Sequence, residues 1–386
     1  MLPNPPELRN VLVAVSGQTP AIIIETLWAL ERCLETKVDE IRVITTSQGR
    51  SIIRNKLLGA DGEFSRFCLD YEIPSGRIAF SEKSIYVLKG IRGGDLEDIR
   101  TGEDNANAAN QVFNFINEWC KRKNECLLCS VAGGRKTLGI YLTVSLMMYG
   151  RPCDKLYHVL VSPAFETGVP EFFYPPPQER SYARIKRVGS GFISETISSE
   201  EANVELAEIP FLRLREMIGP GIPIERGYTE AVAETQLLMN YLQSPPALTL
   251  QLETHTVKIG HFEFPLTKQL AAVYAFFLLE FNGLGAGGSI ELLYEKRMFL
   301  ANLERQIDRF RMAEMEVYSW EKMRNTDEFR DQIRPCISKV NRAISQKLGS
   351  GLLSSRYAIS TGRRYGVNIR DFEVFGRKGK VWKGLQ

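Results

Sequence analysis

The sequence predicts an α/β chain: a Rossmann-like, doubly wound parallel sheet followed by a winged helix-turn-helix domain. Three observations predict it. Strand-like apolar runs alternate with stretches of helical periodicity through the N-terminal half, polar turns follow two of those runs, and short alternating segments with a basic excess close the chain.

"NVLVAV" over 10–15 is rich in β-branched residues and predicts a strand. Ser16-Gly17-Gln18-Thr19-Pro20 follows as a polar turn, and "AIIIETLWALER" then places apolar residues at helical spacing. "IRVITTSQGR" repeats the strand and polar turn. "GEDNANAANQVFNFINEWCK" reads as an amphipathic helix leading into the strand "ECLLCSVA", after which come the "GGRKT" turn, a helix over 136–149 and the strand "KLYHVLVSP". Strands alternating with helices predict a parallel sheet, and such sheets bind ligands outside the carboxyl ends of their strands. "SGQTP" and "AGGRKT" should therefore line one crevice.

Gly133 and Gly134 let the backbone turn tightly and approach a bound group, while Arg135, Lys136 and Thr137 bring positive charge and a hydroxyl to a helix N-terminus. Ser16, Gln18 and Thr19 offer hydroxyls and an amide, and neither turn contains an acid. That inventory suits an anionic ligand with sugar hydroxyls better than a metal or a cation. A P-loop does not fit, because Arg135 precedes Lys136 where that motif needs glycine. Taken alone, GGRK fits a solvent-facing strand-to-helix turn as well as a phosphate grip.

The length of 386 residues suggests two domains. No signal segment and no bilayer-length apolar helix are read in the sequence, so a soluble, cytoplasmic protein without a membrane partner is expected. Seven cysteines, an odd number, argue for free thiols in a reducing compartment. Cys126 and Cys129 form a C-x-x-C inside a strand, where residues three apart face opposite sides. No second pair or nearby histidine completes a zinc site, and neither a metal nor a cofactor is expected.

Charge is unevenly distributed. From Ile333 to Gln386 there are 12 Lys/Arg against 2 Asp/Glu, a local +10 in a chain of net +3. A basic tail on an acidic body points to a polyanion at that end, against the alternative of a merely solvated basic surface. Residues 217–246 combine a Gly/Pro break, a helix and a Ser-Pro-Pro stop, and read as a connector. The domain over 247–386 begins with short alternating strands and the apolar helix of "PLTKQLAAVYAFFLLE". It closes with "RDQIRPCISKVNRAISQKLGS" and "RYAISTGRRYGVNI". This order resembles the winged helix of OmpR-type response regulators, with Leu266-Thr267 opening the first helix and Gly362 to Gly366 ending the wing; the 284–325 segment is longer than in that family. The resemblance implies nucleic-acid contacts from Lys339 and Arg342 on the recognition helix and from Arg363 and Arg364 in the wing, unless the module contacts protein.

Over residues 1–216, "VAVSGQTPAIIIETLWAL", "DIRTGEDNANAA", "SVAGGRKTLGIYLTVSLMMYGRPCDKLYHVLVSPAFE", "EFFYPPP" and "VELAEIPFLRLRE" resemble the CRISPR-associated Rossmann (CARF) domain of the NE-type family grouped with archaeal ring nucleases. The resemblance implies a homodimer that binds cyclic oligoadenylate, above all cyclic tetra-adenylate, made in type III CRISPR defence. It carries Lys136 and Arg135 onto the family's basic turn and Ser16 onto its first-turn hydroxyl. In the "DIRTGED" loop, Asp98 and Arg100 could cover the ligand, or Asp104 could cap the following helix. The leading expectation is a metal-independent ring nuclease in which Lys136 stabilises the scissile phosphate, Arg135 holds the ring and Ser16 orients it. The alternative is a regulator that senses the ring and binds DNA through the winged helix without cutting. A HEPN-type ribonuclease needs Arg-x4–6-His; His158, His255 and His261 are read as lacking such an arginine, and that class is set aside.

Overall fold

The computed structural model describes residues 8–59, 61–166, 169–188, 191–215, 227–283, 287–308, 320–349, 351–376 and 380–383. The chain divides into two compact units, Met1–Arg215 with Gly227–Thr229, and Glu216–Arg226 with Glu230–Gln386. Residues 217–226 of the expected connector lie outside the described residues.

The first unit is an α/β layer structure. In chain order it contains β1 (Arg9–Val15), α1 (Ala21–Trp28), β2 (Glu40–Thr45), α2 (Ser47–Leu57), α3 (Glu63–Asp70), β3 (Ile85–Val87), α4 (Gly102–Cys120), β4 (Glu125–Ser130), α5 (Lys136–Tyr149), β5 (Lys155–Val161), α6 (Pro163–Glu166), β6 (Ser181–Val188), β7 (Gly191–Ser198) and β8 (Val204–Glu208). The main sheet has the order β3-β2-β1-β4-β5-β8. Its first five strands are parallel, and β8 closes the edge antiparallel to β5. This is the Rossmann-like arrangement expected, and the order reverses between β1 and β4.

Helices on both faces leave the central strands dry, which is why they read as continuous apolar runs. Val11 to Val15 are fully buried and every residue of β4 is buried. Ile23, Ile24 and Leu27 of α1 pack with Leu12, Ile41 and Val43 in one core cluster. Two features have no counterpart in the sequence reading: the antiparallel β8 and the separate β6–β7 hairpin, in which Ser181 pairs with Ser198 and Lys186 with Ile193.

The described part of the second unit starts within α7 (Tyr228–Gln243), followed by β9 (Leu248–Gln251), β10 (Thr256–Ile259), β11 (Phe262–Pro265), α8 (Lys268–Glu280), α9 (Ile290–Glu295), α10 (Arg297–Asp308), α11 (Thr326–Leu348), α12 (Leu352–Tyr357), β12 (Phe372–Phe375) and β13 (Val381–Lys383). The sheet order is β11-β10-β9-β12-β13, so the end of the chain pairs back onto β9. Thr267 caps α8, and residues Leu270 to Leu278 of that helix are buried. The "GRRYG" turn is a short hairpin held by a Ser360–Gly366 bridge, and Tyr365 bridges to Gly288. α12 stands between α11 and this turn.

Candidate functional site

The turns after β1 and β4 meet at the point where the strand order reverses, and a pocket of about 360 Å³ opens there. Ser16, Gly17, Gln18 and Thr19 line it from the first turn, and Ala132, Gly133, Gly134, Arg135 and Leu138 from the second. The polar turn of "IRVITTSQGR", which the sequence did not place at the crevice, adds Thr46, Gln48 and Gly49 after β2, and Asp98 enters from the loop before α4. The turns touch through backbone: a Cβ on Gly17 would stand 3.1 Å from the Gly134 Cα, and Gly134 has φ 76°. Side chains at these two positions would close the crevice or strain the turn.

The pocket is built to receive hydrogen-bond acceptors. Helices α1, α2 and α5 begin at it, and none has an acid in its first turn. α1 and α5 also have no side-chain cap; Thr46 caps α2. Their first N–H groups carry the positive end of the helix dipole toward the crevice. Ser16 is 1% exposed, and its Oγ has no hydrogen-bond partner among the described residues. Its backbone is fully used, with N–H donating to the Ile44 carbonyl at 3.1 Å and C=O accepting from Thr45 Oγ1 at 2.7 Å. A buried hydroxyl without a partner is costly, and a ligand atom in the pocket would satisfy it.

Asp98 and Arg135 are the charged residues of the lining. Arg135 Nε donates to Asp98 Oδ1 at 3.0 Å, and its Nη2 donates to Oδ2. Ile99 N–H donates to Oδ1 at 2.8 Å, and Arg100 Nε lies 3.5 Å from Oδ2. The Arg135 hydrogen bond is the main reason the Asp98 carboxyl is held below its ordinary range. The two strand-end turns lack acids, as their sequences show, yet the crevice does contain one. Lys136 and Thr137 open α5 outside the lining, and Arg100 is exposed behind Asp98. Asp104 belongs to the helix: with Thr101 it forms a capping box, accepting from Thr101 N–H at 3.1 Å while Thr101 Oγ1 accepts from Asp104 N–H at 3.0 Å.

Other sequence candidates fall elsewhere. Cys126, Cys153 and Asp154 bring three metal-ligating atoms within 4.8 Å of one another. The Asp154 carboxylate already accepts from Arg151 Nη2 at 2.7 Å and Leu127 N–H at 2.8 Å, and burial pushes both thiols up. These groups form a structural knot rather than an open donor set. Contrary to the sequence reading, Arg151 does precede His158 by an Arg-x6-His spacing. Arg151 sits in the turn before β5, bound to Asp154, while His158 lies inside the strand opposite Ala207. An extended strand carries the two apart rather than onto one face of a helix. In the second unit, Lys339, Arg342, Arg363 and Arg364 are all exposed, and Arg334 Nε donates to Tyr365 Oη at 3.0 Å, tying α11 to the turn that carries the last two.

A model of the CRISPR-associated protein NE0113 family matches residues 19–237, more than half of the chain. The chain belongs to the CRISPR-associated NE0113 family. The match begins at Thr19, so it takes in the turns after β2 and β4 but not Ser16 to Gln18, and it ends within α7, ahead of the sheet of the second unit. No curated protein matches the chain. Among solved structures, Enterococcus italicus Csm6 bound to cyclic hexa-2'-fluoro-hexa-dAMP is similar to this NE0113-family chain at 10% identity. That similarity covers 91% of this chain and 83% of the other, with a TM-score of 0.30. Among the described residues, no helix is long and apolar enough to cross a membrane.

Proposed function

We propose that the first unit is a CARF domain that binds cyclic tetra-adenylate as a homodimer and cleaves it, ending a type III CRISPR signal. The observation that carries this reading is the buried, unpartnered Ser16 hydroxyl in a pocket ringed by helix N-termini and Arg135. Uncapped N–H groups, a guanidinium and a hydroxyl are the donors that a phosphodiester needs. Dimerisation is supported by α5, which is apolar on most sides yet leaves Ile140 57% exposed and Val144 and Met147 half-buried. A helix of that composition calls for cover, and a two-fold axis beside it would set two pockets against one symmetric ring.

Cleavage in this reading uses the ring's own ribose. The 2′-oxygen attacks the adjacent phosphorus as its proton leaves, the bond to the 5′-oxygen breaks and is reprotonated, and the products carry a 2′,3′-cyclic phosphate and a 5′-hydroxyl. Holding the attack in line and stabilising the extra charge on the phosphate are the protein's tasks. Lys136 is the assigned charge-stabilising residue, Arg135, Gln18 and Thr19 hold the ring, and Ser16 orients it. The deciding experiment incubates the full chain with labelled cyclic tetra-adenylate in EDTA. Linear products ending in 2′,3′-cyclic phosphate are expected.

A second reading is favoured by one observation: Lys136 lies outside the pocket lining. If the ring binds but survives, the chain is a sensor whose second unit, read as a winged helix, contacts DNA through Lys339, Arg342, Arg363 and Arg364. Salt-dependent DNA binding lost with those charges would support it.

A further inference from the structure

An anion pocket that keeps a carboxylate at its centre needs a reason for it. Asp98 is not a passing surface contact. Its loop is pinned upstream, where Leu96 N–H donates to the Leu88 carbonyl and Ser47 N–H to the Leu96 carbonyl, both at 2.8 Å. It is pinned downstream by the Thr101–Asp104 capping box. Between these anchors the carboxylate lines the crevice and grips Arg135 by two bonds.

A phosphate that approaches Arg135 therefore approaches Asp98 as well, and two like charges repel unless a donor stands between them. A ligand fits both groups only by presenting an acceptor to the guanidinium and a hydrogen-bond donor to the carboxylate. Ribose carries such a donor beside its phosphodiester. Dinucleotide-binding sheets of this topology meet the same demand with an acid after the second strand, which accepts from a ribose hydroxyl. Here β2 ends in Thr45-Thr46-Ser47-Gln48, without an acid, and the carboxylate comes instead from the loop beyond β3, the next strand along.

We propose that Asp98 is a specificity-determining residue of the pocket: its carboxylate accepts a hydrogen bond from a ribose 2′-hydroxyl while Arg135 takes the neighbouring phosphate. The pocket then takes ribonucleotide phosphodiesters and rejects their 2′-deoxy counterparts. Arg100, 3.5 Å from Oδ2, keeps the carboxylate ionised as Arg135 shares itself with the ligand. This inference rests on the reading of the pocket as a nucleotide-phosphate site. It does not require that the ligand be cyclic or be cut.

The test titrates the full chain with cyclic tetra-adenylate and its all-2′-deoxy analogue, and with 3′-AMP and 2′-deoxy-3′-AMP, whose phosphate stands beside the 2′ position, by calorimetry. Wild type should prefer the ribo form of a bound pair by about tenfold or more, the scale of one lost hydrogen bond to a charged group. Asp98→Ala should bring that ratio near one, chiefly by tightening the deoxy ligand, and Asp98→Asn, which keeps an acceptor without the charge, should fall between. Thermal melts of both variants verify that they fold. An unchanged ribo/deoxy ratio in Asp98→Ala overturns the proposal, as does a wild type that binds both forms equally. If neither ring binds but wild type prefers 3′-AMP over 2′-deoxy-3′-AMP and Asp98→Ala loses that preference, the ring reading falls and the role of Asp98 stands. Absence of binding by all four ligands overturns both.

Discussion

Helix α4 and two of the helices at the pocket, α1 and α5, begin in opposite ways. α4 opens with the Thr101–Asp104 box and places Glu103 and Asp104 in its first turn, so its leading N–H groups and its dipole are satisfied internally. α1 and α5 open with no side-chain cap and no acid, although both start beside a crevice. Of the three helices that begin at the crevice, α2 is capped by Thr46 as α4 is by Thr101, whereas α1 and α5 leave their first donors without a side-chain acceptor where a ligand can complete them. The difference also extends to side chains: α4 meets the requirements of its own turn, whereas Ser16 beside α1 is left with an unmet one.

The largest effect expected from this contrast is catalytic. Lys136 opens the uncapped α5, and in the proposed reaction it meets the phosphate only once a ring spans the two pockets of a dimer. Lys136→Ala should lower the single-turnover cleavage rate by about 100- to 1,000-fold, the usual cost of losing one preorganised electrostatic donor, with a smaller change in ring affinity. A variant that cuts at the wild-type rate would remove Lys136 from the mechanism and leave the contrast one of binding alone.

The next effect concerns where each helix keeps its acids. α4 holds them in its first turn, where hydrogen bonds from Thr101 and neighbouring backbone keep Asp104 below the ordinary carboxyl range. α1 instead carries Glu25 on its buried face, 6% exposed, where burial first and Glu166 second raise its pKa from 4.5 to about 8. An acid with a raised folded-state pKa binds its proton more tightly in the native state. Its contribution is therefore fully present below pH 4.5 and is lost as pH rises toward 8. Between pH 5 and 8, unfolding free energy should fall by on the order of 3 kcal/mol from this group, measured by urea denaturation. Glu25→Gln should flatten that slope and leave the protein more stable than wild type at pH 8. A wild type with no such slope would place Glu25 in a wetter setting.

Much of this was legible in the sequence. Strands of a covered parallel sheet announce themselves as largely apolar runs, so β1, β4 and β5 and the turns after β1 and β4 could be placed from the sequence, as could the start of α5 at Lys136. The sheet rule then brought the two turns to one crevice. The sequence names Asp98 as a residue that could cover the ligand, but its pairing with Arg135 was not assignable, because it depends on a loop that reaches the pocket from beyond β3, and sequence distance from Arg135 gives no hint of that. Thr46 and Gln48 were hidden for a related reason: "TTSQG" reads as an ordinary polar turn, and only the neighbouring positions of β2 and β1 in the sheet make it a third wall. The exposed β6–β7 hairpin and the antiparallel β8 depend on pairing between distant segments, which periodicity does not encode.

The smallest effects separate the two kinds of helix start most cleanly, because each substitution removes one hydroxyl. Thr101→Ala deletes an N-cap acceptor on α4 and should cost about 1 kcal/mol of stability, with a smaller fall in nucleotide affinity than Ser16→Ala causes, since its box only anchors the loop that carries Asp98. Ser16→Ala deletes a hydroxyl that has no partner among the described residues, so no hydrogen bond of theirs is lost; relief of an unsatisfied buried group should leave stability equal to wild type or raised by a few tenths of a kcal/mol. Its cost should appear only with ligand present, as a fall in cyclic tetra-adenylate affinity of roughly three- to tenfold, the net worth of one neutral hydrogen bond. Urea denaturation and calorimetric titration of the same two variants read both axes. If Ser16→Ala destabilises the free protein as much as Thr101→Ala does and binds the ring like wild type, then Ser16 serves the fold, and the open donors of the pocket have no ligand hydroxyl partner to point to.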